Sequence, residues 1–177
     1  MCSKIIEHVK AACDRMPDSA LACFYFDFND IEKQKVSPLV SSLIVQLCNQ
    51  VVKIPEELDK IFEKCQVGDH EASSQELEII LFSLVKAFGS MFIVFDALDE
   101  CPKDGEREDL LDLLAKIKIC SPSNVHVLVT SRPEVDIKDA LQDLTTYPVI
   151  SIQGSEVAAD IRKHFSNELS KHKHLRK

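Results

Sequence analysis

An α/β fold built around a parallel sheet is what this sequence predicts, and three observations lead there. Short apolar runs alternate along the chain with longer segments whose apolar residues recur every three or four positions, the pattern of strands joined by helical crossovers. Residues 91–95 are continuously apolar and 125–130 nearly so, as strands covered on both faces are. A length of 177 residues, 45% hydrophobic with 4 glycines and 7 prolines, is enough for one domain with a real core.

Each element has its own signal. Residues 4–16 place Ile5, Ile6, Val9, Ala12, Cys13 and Met16 on one helical face until Pro17-Asp18 stops the pattern. Residues 21–28 read as a first strand and 29–35 as a polar loop. Ser37 offers an N-cap and Pro38 a first-turn proline for a helix carrying Leu39, Leu43, Ile44, Leu47 and Val51. Pro55 opens a shorter helix with Leu58, Ile61, Phe62 and Cys65, ended by the polar residues 68–72. Ser73 to Glu76 has capping-box spacing, and Leu77, Ile80, Leu81, Leu84, Val85 and Phe88 follow in helical phase as far as Gly89. After the strand at 91–95, a charged loop around Asp104-Gly105 leads to a helix with Leu110, Leu111, Leu113, Leu114 and Ile117, then to the strand at 125–130. Residues 137–144 read as a short helix and 147–152 as a fourth strand, while Ser155 caps a last helix with Val157, Ile161, Phe165 and Leu169 in phase. Parallel strands in this order imply right-handed crossovers. With no repeat or boundary signal, residues 1–177 read as one domain.

Composition narrows the function classes. The net charge of −8 is spread along the chain, whereas nucleic-acid binding needs a concentrated basic face. The basic residues from Lys163 to Lys177 sit on a final helix and tail, where a solvated chain end accounts for them. The 7 cysteines show no Cys-x-x-Cys spacing and several fall on apolar faces, as reduced thiols of a cytoplasmic protein do. No signal peptide opens the chain and no apolar run reaches membrane-spanning length. A soluble protein without nucleic-acid or membrane partners is expected.

The chemistry gathers at two strand ends. Phe92 to Phe95 run into Asp96, Asp99 and Glu100, and in open α/β sheets residues at the carboxyl ends of strands face the ligand crevice. Asp96 is placed to hold the water shell of a magnesium ion, an ion that prefers oxygen ligands. Ala97 is small enough for the backbone to pass close by. Asp99 and Glu100 are placed to orient or deprotonate a water, with Glu100 chosen as the base. Taken alone, such acids more often cap the next turn. The second strand ends in Thr130, Ser131 and Arg132 before Pro133. The two hydroxyls suit hydrogen bonding to a γ-phosphate, and Arg132 suits pairing with phosphate or with Asp96 or Asp99. A surface arginine steered by Pro133 is the plainer alternative. A phosphate loop is missing, since no Gly-Lys-Ser/Thr step occurs and the first glycine is Gly68.

Stretches spread along most of the chain carry a family resemblance: Phe24 to Asp30 with Glu32-Lys33-Gln34, Ser41-Ser42-Leu43 with Gln46-Leu47, Phe95 to Cys101, Thr130 to Glu134, and Asp160-Ile161. In this order they resemble the NACHT domain of STAND-class P-loop NTPases, in particular the fungal nephrocystin-like group. The resemblance implies a P-loop NTPase-like three-layer fold that lacks the Walker A strand and loop. It implies Asp96 as the Walker B magnesium residue, Glu100 with Asp99 as the catalytic acids, and Arg132 as sensor beside Thr130 and Ser131. For the intact family it implies Mg²⁺ with ATP or GTP, a switch that controls oligomerisation, and an effector domain before the core with winged-helix and repeat regions after it. In that family the phosphate loop directly precedes the segment matching Cys2-Ser3, and its strand lies between those at 125 and 147. Losing one oxyanion donor costs about 3 kcal/mol, so losing the whole cradle implies little binding and no independent hydrolysis, and leaves sheet edges and an apolar groove uncovered. A truncated product, a piece of a longer polypeptide and an evolved remnant all fit. Expected partners are proteins, among them full-length NACHT relatives on which a non-enzymatic module could dock.

Overall fold

A strand must pair its backbone donors and acceptors, and three apolar segments do so with one another. In the computed structural model β1 (Ser19–Tyr25), β2 (Ser90–Asp96) and β3 (Val125–Val129) form one parallel sheet in the order β1-β2-β3. Residues 2–67, 72–120, 123–144, 149–151 and 162–164 are described. The register sets Tyr25 opposite Asp96 and Phe95 opposite Val129, so the carboxyl ends of the strands finish level. The helices around them are α1 (Cys2–Cys13), α2 (Val36–Cys48), α3 (Glu56–Val67), α4 (Ser74–Lys86), α5 (Glu106–Cys120) and α6 (Val135–Leu144).

The core lies on one face of the sheet. Ala20, Ala22 and Phe24 of β1 and Met91, Ile93 and Phe95 of β2 are buried with Leu39, Leu43 and Leu47 of α2, Leu81 and Leu84 of α4, and Leu110, Leu113 and Ile117 of α5. Each fully buried leucine contributes about 1.5–3 kcal/mol through removal of apolar surface from water. The other face presents the half-buried Leu21, Cys23 and Phe92, and α1 packs across β1 and β2 there. The result is a three-layer α/β architecture, the P-loop-like arrangement the sequence implied. Among the described residues no helix is long and apolar enough to cross a membrane.

The two sheet edges differ. Gln46 on α2 and Gln50 in the turn just past its end each clasp one residue of β1: Gln46 donates to the Cys23 carbonyl at 2.8 Å and accepts the Cys23 N–H at 2.9 Å, and Gln50 does the same to Leu21 at 2.8 and 3.0 Å. Their amides take the place of a fourth strand, which seals an edge that would otherwise invite pairing. Beyond β3 no strand follows among the described residues, and Val127 is 40% exposed.

Several local expectations are corrected. β1 ends at Tyr25, not Phe28, because the Asp27 carboxylate accepts the Asn29 N–H and the Gln34 amide donates to the Asp27 and Phe28 carbonyls, folding the chain into a loop. α1 stops at Cys13, leaving Met16 exposed, since the Ser19 hydroxyl lies within hydrogen-bond reach of the Cys13 and Met16 carbonyls and turns the chain into β1. Ser37 is not the cap of α2: the helix starts at Val36, whose N–H is taken by the Glu106 carboxylate at 2.7 Å. β3 is less covered than expected, with His126 and Val127 exposed, because the sheet ends there among the described residues. The capping box at Ser73 and Glu76 forms as anticipated.

Contacts divide the chain into two units, Met1–Leu144 and Thr145–Lys177. In the second, residues 149–151 lack regular structure, with Val149 and Ile150 exposed, and 162–164 are helical. The rest of the expected fourth strand and last helix, including Tyr147, Ser155, Val157, Ile161, Phe165 and Leu169, lies outside the described residues.

Candidate functional site

The level strand ends bring the acids after β2 beside the hydroxyls and arginine after β3. Asp96 closes β2, and the Thr130 hydroxyl donates to its Oδ1 at 2.5 Å. Thr130 also accepts the Ala97 N–H through its Oγ1 at 3.0 Å, accepts the Leu98 N–H through its carbonyl at 2.9 Å, and donates its own N–H to Phe95 at 2.9 Å. One residue of β3's exit thus fixes the whole turn after β2. That turn is sharp: Ala97 is left-handed at φ 59°, a conformation disfavoured for any residue with a Cβ. Leu98–Glu100 then form one 3-10 turn.

The two remaining acids point to different partners. Asp99 accepts the Arg132 N–H at 2.9 Å, and its other oxygen lies 3.4 Å from the Arg132 Nε. Of the two carboxylates expected to meet Arg132, Asp99 is the one that does. Its side chain is 9% exposed while that of Arg132 is 82% exposed, so the acid is spent on holding an arginine whose head faces water. Glu100 accepts the Phe28 N–H at 3.0 Å and so ties the turn to the loop after β1. Ser131 donates its hydroxyl to the Arg132 carbonyl at 2.7 Å.

Two residues that sequence reasoning passed over complete the site. Cys2, at the first turn of α1, is buried, and its thiol lies against Asp96 and Thr130. Burial first, and then the Asp96 carboxylate, push this thiol up to about 11. Arg107 on α5 is 4% exposed and donates to the carbonyls of Cys101 and Asp99 and to the carboxylates of Glu134 and Asp136. Its signal was its phase: Arg107, Leu110, Leu114 and Ile117 share one helical face, although the surrounding acids suggest a solvated turn.

Asp96 stands at the carboxyl end of β2 with its Oδ1 taken by the Thr130 hydroxyl. Among the described residues no group of three or more His, Cys, Asp or Glu gathers around one point. Any cation held by Asp96 would have to take its remaining ligands from water and from ligand oxygens, as Mg²⁺ can. The described glycines, Gly89 and Gly105, lie at the start of β2 and ahead of α5, and neither forms a phosphate cradle at this edge.

Compared with known protein families, the chain matches the one described as Nephrocystin 3, N-terminal, over residues 1–132. That span runs from α1 through all three strands to Arg132. No curated protein matches the chain.

Proposed function

The chain belongs to the nephrocystin 3 N-terminal family, and from that membership we propose that it is the acid and arginine half of a NACHT-type nucleotide switch of the STAND class. One observation carries the reading: Asp96 with Thr130, and Asp99 with Arg132, sit side by side at the carboxyl ends of two adjacent parallel strands. An open α/β sheet binds its ligand at that edge. Bound Mg²⁺ would neutralise charge between the terminal phosphates of ATP or GTP, with Asp96 holding its water shell. Thr130 keeps the Asp96 carboxylate in one orientation, and Asp99 keeps the exposed Arg132 guanidinium at the rim, where it serves as the sensor.

Glu100 is the general base of this reading: its Oε2 accepts the Phe28 N–H and holds the side chain, while the other carboxylate oxygen takes the proton from water. Without Gly-Lys-Ser/Thr among these 177 residues, several donors worth about 3 kcal/mol each are missing. The chain therefore senses nucleotide without turning it over alone. Its place is the cytoplasm, where free thiols such as Cys23 and Cys48 persist.

Titration of fluorescent ATP and GTP analogues tests the assignment. Wild type is expected to bind weakly and only with Mg²⁺, Asp96→Ala to lose that metal-dependent binding, and Arg132→Ala to bind more weakly than wild type. Equal binding with and without metal, or an unchanged Asp96→Ala, contradicts it. Substantial turnover abolished by Glu100→Gln would instead make the chain an active hydrolase with an unconventional phosphate site.

A second reading, a non-enzymatic module that docks on an intact NACHT relative, is favoured by the contrast between the sealed β1 edge and β3, where Val127 and His126 are exposed. Co-elution with a full-length relative in gel filtration supports it. Independent elution at micromolar concentration rejects it.

A further inference from the structure

We propose that Arg107 is a latch joining the acid-bearing turn after β2 to the arginine-bearing turn after β3, and that it is the positioning residue for Arg132. The inference rests on the reading above only for what Arg132 contacts; the latch itself is a matter of geometry. The guanidinium reaches both turns at once. On one side its Nε donates to the Cys101 carbonyl at 2.9 Å and its Nη2 donates to the carbonyls of Asp99 and Cys101. On the other its Nη1 donates to Glu134 Oε2 and, at 3.2 Å, to Asp136 Oδ2.

Asp99 is the shared member. Its carbonyl is held by Arg107 and its carboxylate holds Arg132 through the backbone N–H and the Nε. Arg132 itself lies between Asp99 and Glu134, and its carbonyl accepts the Glu134 N–H at 2.9 Å. The arginine is thus clamped from both flanks by groups that Arg107 holds, although Arg107 does not touch it. Asp136 lies in the first turn of α6, so a displacement of α6 reaches the rim through the same guanidinium.

Only a planar fork serves this geometry. Five donors on one rigid plane meet two carbonyls and two carboxylates in different directions, and a lysine ammonium, a point charge on a flexible stem, cannot hold all four. Burial makes each contact count, since a buried charge keeps its place only when its partners are present. A second cation, Lys103, lies 3.0 Å from Glu134 but is itself 65% exposed and reaches neither Asp99 nor Cys101.

Amide hydrogen exchange by NMR on the full chain tests the latch without any nucleotide. In Arg107→Lys the amides of Arg132 and Leu98 are expected to exchange roughly tenfold faster or more, the factor given by losing one charge-assisted hydrogen bond, while Ala22 and Ile93 in the sheet core stay as in wild type. Glu134→Gln, which cuts the latch from the other side and removes no buried cation, is expected to move Arg132 in the same direction. An unchanged Arg132 amide in both variants overturns the proposal, as does an equal acceleration of every amide, which would make Arg107 a general stabiliser. A second arm adds magnesium and ATP: if wild-type Arg132 shows no response, the nucleotide reading fails while the latch stands or falls on the first arm.

Discussion

Thr130 is the smallest part on which the site depends, because its hydroxyl and backbone together hold Asp96, Ala97 and Leu98. Replacing it with valine keeps the shape and removes the hydroxyl, leaving the Ala97 N–H without its acceptor and the Asp96 carboxylate without its hydroxyl donor. The expected cost is about 1–3 kcal/mol in chemical denaturation; an unchanged midpoint contradicts the arrangement. Ala97 makes a complementary case, since its left-handed backbone tolerates no branching. Ala97→Gly should be near neutral, whereas Ala97→Val should cost about 2 kcal/mol or more. The thiols give a third residue-scale outcome. Burial pushes both Cys2 and Cys101 up to about 11, so at pH 8 roughly one in a thousand of each is thiolate. In timed alkylation followed by mass spectrometry, among the described cysteines the exposed Cys120 should be modified first and Cys2 and Cys101 last.

At the scale of elements, α2 supplies core leucines and, through its Gln46 together with Gln50 in the turn that follows, seals the β1 edge. Converting both glutamines to alanine leaves the helix and core intact but bares two backbone N–H groups and two carbonyls, so light scattering should reveal concentration-dependent self-association absent from wild type. The carboxylates joining α6 to α5 give a pH dependence. Lys103 and Arg107 hold Glu134 below its ordinary value; burial pushes Asp136 up, but Arg107 and the Ile137 N–H outweigh it and leave it lowered too. Lowered folded values mean that this contribution is fully present above the ordinary carboxylate range and is lost as acid carries the solution down through the folded values. Arg132 amide protection should accordingly fall at acid pH in wild type, and Arg107→Lys should blunt that fall. The sequence made legible what is decided locally. The capping box at Ser73 and the phase of α4 needed only neighbouring residues. The end of β1 and the start of α2 did not, because Gln34 and Glu106 decide them from a distance. Asp96, Asp99, Thr130 and Arg132 were legible as two strand ends. Their pairing depended on register, and the buried place of Arg107 was masked by the acids beside it.

At the scale of the whole molecule, the parallel sheet formed by the described residues presents one carboxyl edge at which a carboxylate, a hydroxyl and an exposed guanidinium meet. The family match covers the same span. We propose that this edge is half of a nucleotide site, competent to meet a magnesium-bound triphosphate and unable to grip it firmly. An NMR titration of the chain with ATP, with and without Mg²⁺, measures that most directly. Weak binding, with a dissociation constant of roughly 1 mM or about −4 kcal/mol, should shift the amides of residues 96–100 and 130–132 only when the metal is present, and Asp96→Ala should abolish those shifts. Shifts that arise elsewhere on the molecule, or that survive unchanged in Asp96→Ala, would contradict the claim.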